Sequence, residues 1–454
     1  MADTEQPIEI TGPIPGRGAN RMPAVLGDRY GYVEEEFFLQ GEARSYRPVG
    51  ELTGDGMWTV EPDGTAPFKT RVLVRRPADP DAFNGAVVVD WFNVTAGVDG
   101  DPVFGLLHPV LLGGGFAYVG VSAQRVAIGG GQSALDIPEV PGGARRPLTE
   151  SDPERYGTLV HPGDAFSYDI YAQVAAAVRR GDLLGGASPD HVLAVGESQS
   201  AFRLVAFINA IQPVTGAFDG FLVHSRGGSC APVAGSEVQP RPEEGPPVTI
   251  RTDNDVPVVQ FETETDLVLL NYLAARQPDT DHIVTWEVAG TAHADASLLE
   301  YGRMANPDVE FDLADFIPTM NRGPQREVLR AGFIALHEWV VSGTPPPVGH
   351  PIETTDGALR RDADGIAIGG VRTPAVDAPV AAHSGESTGS EIIFQLFGST
   401  IPFTAEQLQA RYPTHEDYVV AVTRSADAAV AARFLLPDDR DRIVDEARSA
   451  SVPN

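Results

Sequence analysis

Apolar and polar positions along this chain fall into short runs that change period as they go. From Glu34 onward the segments EEFFLQGEA, FKTRVLVRRP, GAVVVDWFN and GFAYVGVSAQ alternate or run continuously apolar over strand lengths, which predicts the first four strands of a sheet. AVVV is apolar on both faces, as a central strand covered by helices on each side must be. Between Ala165 and Arg180 the period lengthens, with Ile170, Val174, Ala177 and Val178 at helical spacing, and a helix over one face of the sheet is expected. Strand-like and helix-like segments then alternate: HVLAVG, the striped Ala201 to Ile211, FDGFLVHS, VPVVQFE, LVLLNYLAAR and IVTWEV. Arg326 to Val341 reads as the last helix of the body, ended by SGTPPP. The expected fold class is α/β, a mostly parallel central sheet with right-handed crossovers and helices on both faces.

Three regions differ in character. Residues 1–30 are polar and rich in Gly and Pro, an arm that takes its order from the body. Residues 31–344 carry the α/β pattern. Residues 345–454 hold a strand-like patch, GIAIGGVRTPAV, and three helix-like stretches, FTAEQLQARY, THEDYVVAVTRSADAAVAARFLL and PDDRDRIVDEARS. A region this small gains by burying its apolar residues on a larger neighbour, so it is expected to pack on the body, as a partial cover of a site or as a buttress.

Composition narrows the classes of function. Of 454 residues 42% are hydrophobic and 21% charged, with 48 Gly and 38 Pro, a globular, loop-rich make-up. The formal net charge of -30 repels phosphate backbones and anionic lipid, so neither nucleic acid nor a membrane surface is an expected partner. Cys230 is the single cysteine and has no intrachain partner for a disulfide. The start, MADTEQPIEITGPIPGRG, lacks the pattern of a signal peptide, and the longest apolar window, Val110 to Val121, is broken by Gly113 to Gly115. A cytoplasmic protein is expected.

The chemistry concentrates where HVLAVG runs into Gly196-Glu197-Ser198-Gln199-Ser200 and then into an apolar-striped helix. This resembles the G-x-S-x-G nucleophile elbow in its strand, turn and helix context, with Ser200 in place of the second Gly. A serine alcohol is a poor nucleophile at neutral pH and needs a base, which in turn needs an orienting acid. In such a fold the chain order is Ser, acid, His. His293, just beyond IVTWEV in AGTAHAD, has the best address for the base. Glu262 closes the strand segment VPVVQFE, and Glu264 and Asp266 follow it. Asp266 is preferred as the acid, nine residues after Pro257, and Glu264 is the reserve; the same cluster also reads as an acidic helix start. The oxyanion of a tetrahedral intermediate needs two N–H donors. Gln199 supplies one, and the loop from Trp91 to Thr95, with Asn93 and Val94 as candidates, supplies the other. His224, at the end of FDGFLVHS, either contacts substrate or is a neutral core histidine. Trp91 and Phe397 are further candidates to line the substrate pocket, although the patch Phe394, Leu396, Phe397 and Phe403 also reads as core.

The elbow GESQSA, the D-W-F-N-V segment, VHSRGG, AGTAHAD and GGVRTP together resemble a large bacterial alpha/beta-hydrolase family, over most of the chain. What the resemblance implies is a serine carboxylic-ester hydrolase with Ser198 as nucleophile, His293 as base and Asp266 as acid. No G-x-G-x-x-G after the first strand, G-x-x-x-x-G-K-[ST], H-E-x-x-H or C-x-x-C occurs, so neither a cofactor nor a metal is expected. A thioesterase, lactonase or amidase would use the same residues. A catalytically silent binding protein would be expected to lose one of them. The acidic surface favours a neutral or apolar small-molecule ester, with substrate choice set by Ile128 to Gly163 and Gly227 to Asp255.

Overall fold

The apolar runs of the amino-terminal half become the strands of a mixed sheet. In the computed structural model, residues 8–133, 146–234, 245–305, 319–387, 389 and 391–453 are described; the middles of the two expected covering loops, 134–145 and 235–244, lie outside them. The chain divides into two units. The first comprises Met1–Pro257 with Ala274–Gln277 and Gly302–Phe311, the second Val258–Leu273, Pro278–Tyr301 and Asp312–Asn454.

The first unit contains β1 (Glu9–Thr11), β2 (Tyr32–Pro48), β3 (Val60–Pro77), β4 (Ala86–Trp91), β5 (Ala117–Val121), β6 (His191–Glu197) and β7 (Gly220–His224), in the spatial order β1-β2-β3-β5-β4-β6-β7. β1 to β3 pair antiparallel, as do β3 and β5, while β5, β4, β6 and β7 run parallel. All six residues of β4 are buried, the consequence of an AVVV run with no polar face. Its longer helices are α1 (Ala24–Tyr30), α2 (Pro102–Gly113), α3 (Ser167–Arg179) and α4 (Gln199–Ala206). On α3 the expected stripe of Ile170, Val174, Ala177 and Val178 is fully buried, and Tyr171 Oη donates to the carbonyl of Val89 on β4 at 2.7 Å.

β1, α1 and α2 had no counterpart in the sequence reading. The arm is tied down by charge: Arg71 and Arg75 on β3 are fully buried, bond Glu36 and Asp99, and Glu34 and Asp101, respectively, and also reach the carbonyls of Ala19 and Asn20. α2 shows no one-sided stripe because Val103, Phe104, Leu106, Leu107, Leu111 and Leu112 are buried around much of its circumference.

The second unit pairs β8 (Val258–Thr263) with β9 (Ile283–Val288) in parallel. It adds α5 (Glu264–Val268), α6 (Ala296–Ala305), α7 (Gln325–Ser342), the hairpin of β10 (Ala381–Ser384) and β11 (Ser399–Pro402), α8 (Ala405–Arg411), α9 (His415–Ala431) and α10 (Pro437–Ser449). LVLLNYLAAR, expected as one helix, ends α5 early and breaks at Asn271, which sits at φ 60. GIAIGGVRTPAV forms no long strand. Val371 alone bridges β9, its N–H donating to Glu287 O at 2.7 Å and its carbonyl accepting from Ala289 N at 3.1 Å. Segments after residue 345 are knitted into this unit: Phe434 packs edge-on to Trp286 at 4.9 Å between ring centroids, and Arg330 on α7 bonds Asp439 on α10 at 2.8 Å. Among the described residues no helix is long and apolar enough to cross a membrane.

Candidate active site

Ser198 stands between β6 and α4 at φ 55 and ψ -116, a left-handed conformation that an L residue adopts only where its surroundings enforce it. Small neighbours permit the turn. A Cβ on Gly196 would lie 3.0 Å from both Leu204 Cδ1 and the Ser200 carbonyl carbon. Ser200, the departure from a second Gly, closes the turn: its Oγ donates to Glu197 O at 2.8 Å and accepts from Glu197 N at 2.9 Å. Ser198 N donates to His224 O on β7 at 2.9 Å, so the elbow is hydrogen-bonded to the neighbouring strand.

The loop after β4 is joined to the elbow by side chains. Asn93 Nδ2 donates to Glu197 O at 3.0 Å and to Glu197 Oε2 at 2.9 Å. Gln124 Oε1 accepts from Trp91 Nε1 at 3.0 Å and from Gln199 Nε2 at 2.8 Å, while Gln199 Oε1 lies 3.5 Å from Val94 N. Asn93 N donates to Gly100 O at 3.0 Å. Gln199 opens α4, whose first-turn N–H groups have no partner within the helix. Gln124 and Glu197 were not singled out from the sequence; Glu197 lay inside the elbow motif, whereas nothing local marks Gln124.

In the second unit His293 Nδ1 meets Asp266 Oδ1 at 2.6 Å, both residues buried. Asp266 Oδ2 accepts from Thr263 N and Thr263 Oγ1, each at 2.7 Å. Thr263 and Asp266 form a reciprocal capping box at the start of α5, and that box fixes the carboxylate. Glu264 faces other partners: Gly290 N at 2.6 Å, Gly385 N at 3.1 Å and Arg361 Nη2 at 2.9 Å. Burial holds its carboxyl above the ordinary range despite the opposing arginine. Gln325 Nε2 donates to His293 O at 3.3 Å.

Of the remaining expected residues, Trp91 is fully buried, its ring tilted against Tyr168 at 5.7 Å and Tyr171 at 4.8 Å. His224 is fully buried at the end of β7. Phe397, partly buried, accepts through its carbonyl from Asn321 N at 2.9 Å. Among the described residues no group of His, Cys, Asp and Glu has the arrangement of a metal site.

Residues 9–445 match the family described as Alpha/beta hydrolase domain. A search of the curated proteins found no match. Three solved structures illustrate the similarity. One is an a/b serine hydrolase without lid from Xanthomonas campestris, 12% identical, covering 58% of this chain and 92% of that one with a TM-score of 0.30. A fungal esterase from Rhizomucor miehei is 11% identical over 64% and 90%, TM-score 0.28. Esterase Est22 is 15% identical over 63% and 81%, TM-score 0.31.

Proposed function

Because the chain belongs to the alpha/beta hydrolase domain family, we propose that it is a serine hydrolase cleaving a carboxylic ester of a neutral or apolar small molecule through an acyl-enzyme intermediate. The observation that carries this reading is the left-handed Ser198 in its strand, turn and helix setting.

Ser198 Oγ attacks the ester carbonyl carbon while His293 accepts its proton. With Nδ1 bonded to Asp266, His293 serves through Nε2, and the Asp266 carboxylate stabilises the imidazolium that forms. The oxyanion is held by the N–H of Gln199 and by a donor from the loop after β4. Val94, whose N–H makes only a long 3.5 Å bond to Gln199 Oε1, suits that second role better than Asn93, whose N–H is given to Gly100 O at 3.0 Å. Collapse expels the alcohol, which takes the proton from His293. Water then attacks the acyl-enzyme with His293 as base again, releasing the acid and restoring Ser198. Thioesters and lactones open by the same steps.

Ser198→Ala is expected to keep its thermal transition and to lose about 10^4-fold or more in kcat. A fluorophosphonate probe is expected to label the wild-type chain and not this variant. Labelling that persists in Ser198→Ala removes the assignment.

A further inference from the structure

Ser225 is the first residue after β7 and is fully buried. The register pairs Glu197 with His224, and Ser198 N bonds His224 O, so Ser225 is the lateral neighbour of Ser198 at the carboxyl edge of the sheet. Its backbone is at φ 56, nearly the value of Ser198 itself. Its Oγ has no hydrogen-bond partner among the described residues. On the other side of β6, in the loop after β4, Thr95 Oγ1 is likewise buried with no partner among the described residues.

A buried hydroxyl without a partner is uncommon in a folded protein, and a non-glycine residue held left-handed is a local strain that concentrates at ligand sites. One residue carries both, beside the elbow. We propose that Ser225 is a specificity-determining residue whose hydroxyl hydrogen-bonds an oxygen of the substrate outside the scissile ester group. The preferred substrates are then esters bearing an additional ether, hydroxyl or carbonyl oxygen close to the reacting carbon, rather than plain alkyl esters. This rests on the reading of Ser198 as nucleophile. It sharpens the charge argument, which favours neutral substrates without distinguishing oxygenated from alkyl ones. A buried group built to meet a substrate oxygen discriminates far more strongly than an apolar wall that gains or loses a methylene.

The test uses the full-length protein and two isosteric ester pairs. For the acyl side, p-nitrophenyl methoxyacetate is compared with p-nitrophenyl butyrate; for the alcohol side, 2-methoxyethyl acetate with butyl acetate. Comparing each kcat/KM ratio between wild type and Ser225→Ala cancels the intrinsic reactivity of the esters. We expect the oxygenated-to-alkyl ratio to fall by about tenfold or more in the variant for at least one pair, and the pair affected identifies the side of the ester that Ser225 contacts. Ratios that stay within about twofold for both pairs, even if all rates drop together, assign Ser225 a purely structural part and overturn the proposal. Ser225→Gly, which accepts φ 56 without strain, carries the same comparison should the alanine variant fail to fold. Fluorophosphonate labelling of Ser198 is run alongside. A wild-type chain that the probe does not label refutes the nucleophile reading itself, separately from the ester ratios.

Discussion

Asp266 and Glu264 stand two positions apart, both buried, and hold different partners. Asp266 reaches His293 and Thr263, while Glu264 ties down two backbone N–H groups and Arg361. Asp266→Asn is therefore expected to lower kcat by up to about 10^4-fold, since an amide favours the wrong tautomer of His293. Glu264→Gln turns an NH2 toward at least one donor and should lower stability by about 1–3 kcal/mol while moving kcat less. Melting curves and steady-state rates on the two variants check the division; Glu264→Gln with an intact melting temperature and the larger rate loss would exchange the roles. Asp295 carries a pH signature. It caps α6 through Ser297 N at 2.9 Å and Leu298 N at 3.4 Å, and burial, with the nearby Glu327 charge, pushes its carboxyl up to about 6. The folded chain thus holds this proton more tightly than the unfolded chain. Its contribution is fully present below about pH 4 and is lost as pH rises through about 6. Asp295→Asn keeps a capping oxygen and should raise the melting temperature at pH 7.5, by an amount worth at most about 3 kcal/mol, with no gain near pH 4. A gain of equal size at both values would contradict this account.

The capping box at α5 is the element that aims a carboxylate at His293. Thr263→Val removes the hydroxyl and keeps the N–H bond to Asp266, so stability should fall by about 1 kcal/mol and kcat by less than about 10^2-fold, a smaller loss than for Asp266→Asn. A rate loss as deep as that of Asp266→Asn would show the hydroxyl, and not the carboxylate, to be decisive. At this scale the sequence was most readable where periodicity and turn chemistry agree. GESQSA announces its turn through Gly196, and the buried stripe of α3 is plain from Ile170 to Val178. It was least readable where tertiary burial overrides pattern. α2 is apolar around much of its circumference and has no stripe to find; β1 is three residues long and is ordered by pairing with β2; and α5 reads as longer than it is because Leu269 and Leu270 continue the apolar text past its last residue, Val268, and Tyr272, Leu273, Ala274 and Ala275 continue it past the break at Asn271. For the proposed site, residue types and strand-end addresses are what single out Ser198, Asp266 and His293. The Gln124 contacts to Trp91 and Gln199, 75 residues away from the latter, have no local signature.

Within the second unit, residues after Ser342 supply partners that earlier residues cannot replace. Arg361 and Gly385 satisfy Glu264, Ile352 N donates to Glu287 Oε2 at 2.8 Å, Phe434 covers Trp286, and Asp439 and Arg442 bond Arg330 and Glu327. Breaking a buried ion pair from one side costs about 3–5 kcal/mol, against a total stability of about 5–15 kcal/mol for a domain. Truncation after Ser342 is expected to give insoluble chain, or soluble chain without a cooperative thermal transition, as read by soluble yield and circular dichroism. A soluble truncate that melts like the whole protein would overturn this.

At the opposite end, the three residues of β1 pair Glu9 with Gln40, Ile10 with Leu39 and Thr11 with Phe38, and Ile14 N adds a bond to Glu36 O at 2.7 Å. The segment so capped, Phe37 to Leu39, is the most apolar part of a 17-residue strand. A β-edge of that kind, left bare, is a template for another chain. The arm is therefore expected to guard against self-association: a chain shortened by its first 16 residues should scatter light and grow thioflavin-positive material at concentrations where the full chain stays dispersed, and a shortened chain that stays equally dispersed would overturn this.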